Sequence, residues 1–294
     1  MIQKTDLRAY ATADDLYSQL IIYQAAEDST ILLLEGDSDY AALEQHIDVG
    51  ACLAVPGHGK TVILGAMKLV DENRMQGVAA LVDRDFVGIL HPPVESHNLF
   101  YTDNSDIDST IFLLDSPRER VVSNFSNQAD RQRHLSSCNV HSSLELAIAI
   151  AYPIGVLRWI SERDGYGLNL DRFPIESVLL QDCSCIDLQG ACLIAVKRTK
   201  LATEDLKDTI YTELETAIAE ISDRYGYCRG HDLVKALATV MRKKWGGKFS
   251  YDVIENALRA AFSFEDLAST KFYKDLERWA QQFGQTIWSA TAQT

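Results

Sequence analysis

The alternation of apolar and polar positions predicts an α/β arrangement in the first 120 residues. Short apolar runs favour strands that are buried on both faces, and apolar residues spaced by three or four positions favour amphipathic helices. Strands that alternate with helices pair in parallel, in an open Rossmann-like sheet. The predicted strands are Thr30–Leu34, residues 51–55, Val78–Val82 and residues 98–102, and the predicted helices are residues 14–26, 40–47 and 61–73.

Longer amphipathic segments follow and predict a mainly helical second part. We divide the chain into a catalytic α/β domain, residues 1–120, and a mainly α-helical domain, residues 121–294, with the boundary in the polar stretch 115–130. The apolar stripes of the later helices predict core contacts, and some of them a dimer or partner surface. The predicted helices are residues 142–163, 204–225, 232–244, 251–262 and 269–283, and residues 191–196 are predicted to form a short strand.

The composition is that of a compact globular protein. The 294 residues are 47% hydrophobic and 24% charged and include only six prolines, which rules out extensive disorder. No run of 18 or more apolar residues occurs and the first residues are polar and acidic, so we expect a cytoplasmic protein without a membrane span. The six cysteines lack paired CxxC spacing and are expected to be reduced thiols, with zinc ligation around Cys183-x-Cys185 as the alternative.

The charge is unevenly distributed along the chain. A formal net charge of −14 argues at first against a nucleic-acid partner, because phosphate binding favours a basic surface. Residues 1–115 contain 6 Lys+Arg and 19 Asp+Glu, a balance of −13, whereas residues 116–294 contain 22 and 23, a balance of −1. The excess of acidic residues is therefore N-terminal. Their position relative to the predicted strands indicates whether they form a site or a solvated surface.

Carboxylates follow three of the predicted strands directly. The carboxyl ends of parallel strands form the ligand crevice of an open sheet, where gathered carboxylates repel one another unless a cation neutralises them. Oxygen ligands favour Mg²⁺ or Mn²⁺, so the pattern predicts a divalent-metal site. The alternative for any single carboxylate is a helix cap or a loop residue. The residues are Glu35 after the first strand, Asp83 and Asp85 after the third, and Asp103, Asp106 and Asp108 after the fourth.

These carboxylates resemble those of the Toprim domain of topoisomerases, primases and nucleases. The matching motifs are Leu34-Glu35-Gly36-Asp37-Ser38-Asp39 and Asp83-Arg84-Asp85. The resemblance implies that Glu35, Asp83 and Asp85 hold Mg²⁺ for phosphodiester chemistry and that Glu35 also takes part in proton transfer. Residues 102–108 are similar to an acidic segment of a Toprim subfamily, which implies Asp103 or Asp108 as a further ligand, although that subfamily usually has glutamate at the position of Asp108.

The second half extends the resemblance to a family of defence proteins. Residues 229–233, RGHDL, and the run of matching residues between 258 and 279 are similar to the helical part of the AriB family, the Toprim effectors of PARIS anti-phage systems. The resemblance implies a nuclease that an ABC-type ATPase of the same system holds inactive. Released when a phage anti-restriction protein is sensed, it would cleave host tRNA and abort the infection. A homodimer is the usual expectation for a soluble oligomer.

Basic and polar residues complete the predicted site. Lys60 and Arg84 are candidates to place positive charge on the scissile phosphate, and His58 lies beside Lys60 in a glycine-rich turn. His231 is a candidate substrate contact at the start of a helix, where a capping role for Asp232 is the alternative. Basic clusters expected to steer nucleic acid are Arg118/Arg120, Arg131/Arg133, Lys197-Arg198-x-Lys200 and Arg242-Lys243-Lys244 with Lys248, beside which Trp245 is a candidate for base stacking or for simple packing.

Three other functions stay open at the level of the sequence. Residues 54–61, AVPGHGKT, match a loose phosphate-loop pattern with alanine in place of the first glycine, which would indicate a nucleotide-binding protein. A Toprim nuclease directed at DNA would carry the same carboxylates. A subunit that binds the ATPase and only regulates it is the non-enzymatic alternative.

Overall fold

The computed structural model describes residues 12–26, 29–199 and 204–289. Within these residues the protein is α/β, with one four-stranded parallel sheet and a helical C-terminal part. The strands are β1 (Thr30–Leu34), β2 (Cys52–Pro56), β3 (Val78–Val82) and β4 (Leu99–Tyr101). The helices are α1 (Ala13–Ala26), α2 (Asp37–Leu43), α3 (Lys60–Glu72), α4 (Ile107–Leu113), α5 (Asp115–Phe125), α6 (Gln128–Ser137), α7 (Ser143–Arg163), α8 (Leu188–Thr199), α9 (Glu204–Glu220), α10 (Gly230–Lys244), α11 (Tyr251–Ala261), α12 (Phe264–Ser269) and α13 (Lys271–Gln282).

The described residues form two compact units. Unit 1 consists of the described residues within Met1–Arg84, Pro93–Asp103 and Ser263–Thr294. Unit 2 consists of those within Asp85–Pro92 and Asn104–Phe262. This division differs from the predicted one at residue 120. The chain enters unit 2 soon after β3 and again after β4. Helix α13 packs against β4, and α12 packs against α13, so that unit 1 is not continuous in sequence.

Unit 1 is built around the parallel sheet, with strand order β2-β1-β3-β4. Every residue of β1 and of β3 is buried, as expected for central strands that are covered on both faces. Helices α1 and α3 pack against each other, and their apolar side chains share one core cluster with the sheet. Because all four strands run in the same direction, β1, β3 and β4 end at the same edge of the sheet.

Unit 2 is organised around α7 and α10, which pack against each other. Helix α7 is long and apolar enough to cross a membrane, but 72% of its most apolar stretch is buried inside the protein, as in the core helix of a soluble protein. Gly155 allows a close approach there, since an added Cβ would lie 1.9 Å from the carbonyl oxygen of Tyr227. The apolar stripe predicted for α7 is therefore core.

Two local predictions are wrong. Residues 191–196 are not a strand but part of α8, where the buried residues Ala191, Cys192, Ala195 and Val196 follow the helical spacing. The polar stretch 115–130, predicted to contain the domain boundary, lies within unit 2, where α5 occupies most of it and α6 begins in it.

Candidate functional site

Glu35 and Asp83 come together at the carboxyl edge of the sheet in unit 1. Strands β1 and β3 are neighbours in parallel register, with Leu34 opposite Leu81, so Glu35 and Asp83 both follow the strands at the same edge, with Asp83 one residue further along than Glu35. The backbone N–H of Asp83 donates to Oε2 of Glu35 over 3.3 Å. Both residues are half-buried and directly follow the buried ends of their strands.

Arg84 and Asp85, which follow Asp83 in the chain, have different hydrogen-bond and ion-pair partners. Arg84 is held against the end of β4, since its backbone N–H donates to Oγ1 of Thr102 (3.0 Å) and its Nε donates to the carbonyl oxygen of Thr102 (2.9 Å). Asp85 belongs to unit 2 and has a left-handed backbone (φ 46°), a conformation that aspartate tolerates better than most residues. Its carboxylate pairs with Nη2 of Arg229 over 3.1 Å.

The carboxylates that follow β4 each have structural partners. In unit 1, Asp103 accepts the backbone N–H groups of Lys271 (2.7 Å) and Phe272 (2.8 Å) at the start of α13. In unit 2, Asp108 forms a two-point ion pair with Arg259, at 2.8 and 2.6 Å. A metal ion at either aspartate would have to compete with these donors.

Asp106 is a helix cap. This is the role predicted as the alternative to metal binding for a single carboxylate at a strand end. It accepts the N–H of Ser109 in α4 (2.6 Å) and also the N–H of Gly230 at the start of α10 (3.0 and 3.1 Å to its two oxygens). Burial, followed by the charge of Asp108, raises the pKa of Asp106 to about 6. Burial and Asp108 also raise the pKa of Glu255. The acidic cluster of unit 2 is therefore stabilised by helix N-termini and by Arg259.

The glycine-rich turn lies between β2 and α3, and the N–H groups of both its glycines already have partners. The N–H of Gly57 donates to the carbonyl of Leu34 (2.7 Å) and the N–H of Gly59 to the carbonyl of Glu35 (3.0 Å). A phosphate loop binds its ligand through such N–H groups, so these bonds count against a nucleotide-binding role. They also hold the turn that carries His58 and Lys60, both half-buried, next to the end of β1 in space.

Two residues proposed to meet nucleic acid lie in the interior of unit 2. Arg118 is only 2% exposed and donates to the carbonyl oxygen of Phe112 (2.9 Å), so its predicted role on a basic surface is wrong. Trp245 is fully buried, and its Nε1 donates to Nδ1 of His134 over 3.0 Å. The packing alternative is confirmed for Trp245.

The other basic clusters differ in how far they are neutralised. Arg242 and Lys243 both pair with Glu176, although each side chain keeps more than a third of its surface exposed. Arg133 is 78% exposed and pairs with Asp130. Lys200 lies outside the described residues.

A polar cavity of unit 2 surrounds His231, and sequence reasoning did not find it. Asp232 does not cap α10, which begins two residues earlier, but forms a buried ion pair with Arg158 of α7. Burial lowers the pKa of His231. No local signal joins Arg158 to Asp232, because 74 residues separate them and each alone is typical of a helix surface.

Among the described residues, no three His, Cys, Asp or Glu side chains converge closely enough to form a metal site. The donor chemistry of Glu35 and Asp83 nevertheless matches Mg²⁺, since both supply hard carboxylate oxygens at one edge and Mg²⁺ commonly binds through one or two carboxylates with water and phosphate. A scan against protein-family models and a search of curated proteins found no match to this chain. The functional assignment therefore depends on the residues themselves.

Proposed function

We propose that this protein is a Mg²⁺-dependent Toprim nuclease. The observation that carries the proposal is the placement of Glu35 and Asp83 at the carboxyl ends of adjacent parallel strands, joined by the N–H of Asp83. Open parallel sheets bind their ligands at this edge, and two half-buried carboxylates there favour a divalent cation over a neutral ligand.

Each residue has a proposed role in cleavage. Glu35 and Asp83 hold the ion, and Glu35 also accepts a proton from the attacking water. Asp85 completes the pair of aspartates in the motif. When bound, Mg²⁺ would lower the pKa of water and neutralise the phosphate in the transition state. Lys60 and Arg84 supply positive charge, and His58 contacts phosphate.

In this proposal Asp103 and Asp108 do not bind the metal ion directly. Asp103 accepts two N–H groups of α13, and Asp108 pairs with Arg259, so both have stabilising roles that account for their positions. Mn²⁺ would replace Mg²⁺ at Glu35 and Asp83, because both ions prefer oxygen ligands.

The biological setting of the proposal comes from the motif resemblance. We infer that the protein is a cytoplasmic effector of anti-phage defence, which an ABC-type ATPase restrains until infection. Its substrate is then host tRNA, and the active form is a homodimer.

Cleavage of RNA by the purified full chain tests this function. Wild-type protein is incubated with tRNA or with plasmid DNA, in Mg²⁺ or in EDTA, and ends are mapped by sequencing. Glu35→Gln is expected to reduce Mg²⁺-dependent tRNA cleavage at least ~100-fold, the usual contribution of a general base. Glu72→Gln is the matched control, since it makes the same change at an exposed position of α3.

Other outcomes would contradict particular parts of the proposal. Equal cleavage by Glu35→Gln and wild type would remove Glu35 from the chemistry. Cleavage of plasmid but not tRNA would show a DNA-directed nuclease. If the chain alone cleaves neither substrate, the assay is repeated with the co-expressed ATPase and a trigger, and cell toxicity without nucleic-acid cleavage would refute the nuclease function.

A further inference from the structure

Unit 2 contains a polar cavity that the proposed cleavage chemistry leaves unexplained. Its volume is about 490 Å³, within the range of small-ligand sites. The ion pair between Arg158 and Asp232 lies in its wall, with side chains 10% and 1% exposed. Both partners are thus fixed by burial before any ligand arrives.

Three buried polar atoms, each on a residue that lines the cavity, have no hydrogen-bond partner within the described chain. They are Nε2 of His231, Nε of Arg158 and Oδ1 of Asp232. Native proteins retain few such buried atoms, and those that remain often mark a functional site or a bound group. Because the arginine nitrogen only donates and the carboxylate oxygen only accepts, the matching ligand carries both donors and acceptors.

The charged residues that line the cavity further restrict which kind of ligand it could bind. Three arginines and four carboxylates line the cavity, so a simple anion would meet acid and a simple cation would meet base. Carboxylates accept hydrogen bonds from the exocyclic amino groups of nucleobases, and arginine binds phosphate. The rings of His231 and Tyr251, which contact each other edge to face, add aromatic surface of the kind that holds unpaired bases.

We propose that this cavity binds one unpaired nucleotide whose base carries an exocyclic amino group. The carboxylates of the wall accept from the amino group, and the exposed Arg172 binds the phosphate. The inference rests on the proposed nuclease function, which supplies RNA as the substrate class. Within unit 2, Arg229 both lines the cavity and pairs with Asp85.

Titration calorimetry on the full chain in EDTA tests the base preference. The probes are GMP, AMP, CMP, UMP and inorganic phosphate. The three amino-bearing nucleotides are expected to bind about tenfold more tightly than UMP, the effect of about one hydrogen bond, and phosphate alone is expected to bind more weakly still. EDTA removes divalent ions, so this binding is independent of metal at Glu35 and Asp83.

Two variants locate the binding in the cavity. His231→Ala removes one ring of the wall, and Arg172→Asn removes the exposed cation with a residue that tolerates its left-handed backbone (φ 47°). Each is expected to weaken GMP binding about tenfold. His141→Ala and Arg224→Asn are the controls, because both positions are exposed in unit 2 outside the cavity, and they are expected to bind GMP like wild type.

Several results would overturn the inference. These are no saturable binding at millimolar nucleotide, equal affinity for UMP and GMP, affinity for phosphate equal to that for GMP, or wild-type affinity in both His231→Ala and Arg172→Asn. The assay does not depend on cleavage. GMP binding by a protein that cleaves no nucleic acid would refute the nuclease function alone, whereas cleavage without GMP binding would refute the cavity alone.

Discussion

Asp106 shows how local sequence and tertiary packing together determine the role of one carboxylate. It follows β4 together with Asp103 and Asp108, and a helix cap is the predicted alternative to metal binding at this position. In the structure it accepts N–H groups from the starts of two helices, one of which begins 124 residues later in the chain. The first contact follows from the local capping pattern, whereas the second depends on tertiary packing that no local pattern carries.

The raised pKa of Asp106 predicts a pH-dependent stability. The folded pKa is about 6 against an ordinary value of 3.8, so its favourable contribution is complete below pH 3.8 and is lost as pH rises through about 6. Asp106→Asn stays neutral and keeps a capping oxygen. We therefore expect the unfolding free energy of the variant minus that of wild type to rise by up to about 3 kcal/mol between pH 4 and pH 7.

Urea unfolding at both pH values measures this difference directly. Comparing the two proteins cancels the titration of carboxylates that do not interact with Asp106, whereas Asp108 interacts with it directly. A difference that stays constant or falls between pH 4 and pH 7 would show that the pKa of Asp106 is not raised.

At the scale of elements, apolar runs predicted the strands well. Thr30–Leu34 and Val78–Val82 are confirmed at both ends, because central parallel strands are apolar on both faces and have sharp polar boundaries. The run 191–196 failed, since a short apolar run suits a buried helix segment equally well. Local pattern therefore identified the sheet but could not separate every buried helix from a strand.

Gly230 marks a close contact between elements that composition does not reveal. A Cβ at this position would lie 2.4 Å from both Cβ of Asp108 and the backbone nitrogen of Ser109. Gly230→Ala is expected to push the start of α10 away from α4 and to lower the unfolding free energy by about 1–3 kcal/mol.

Thermal and urea unfolding of Gly230→Ala measures this cost. Gly36→Ala is the control, because its nearest neighbour would be 3.9 Å away and its φ of −153° suits any residue. Equal stability of the two variants would mean that α4 and α10 do not pack as closely as the structure shows.

At the scale of the molecule, the compact units formed by the contacts differ from the two domains predicted from the sequence. The sequence suggests one boundary near residue 120, but α12 and α13 return to the sheet and Asp103 binds the start of α13. Contacts between residues 168 positions apart leave no periodic signal. Glu35 and Asp83 were predictable because strand direction alone brings them to one edge, whereas the cavity around His231 was not.

The structure shows where the acidic residues of the N-terminal part lie and which of them are paired with arginines. Part of the N-terminal acid stands at the carboxyl edge of the sheet, in Glu35 and Asp83, and another part is neutralised by arginines of the second half, as in the pairs Asp85–Arg229 and Asp108–Arg259. An acidic total is therefore compatible with a nucleic-acid substrate.

Metal binding by Glu35 and Asp83 is the central claim, and Mn²⁺ titration followed by electron paramagnetic resonance tests it most directly. Wild type is expected to bind Mn²⁺, and Glu35→Gln and Asp83→Asn are each expected to lose that binding while remaining folded. Asp103→Asn and Glu72→Gln are expected to bind like wild type. Undiminished Mn²⁺ binding in both Glu35→Gln and Asp83→Asn would contradict the account.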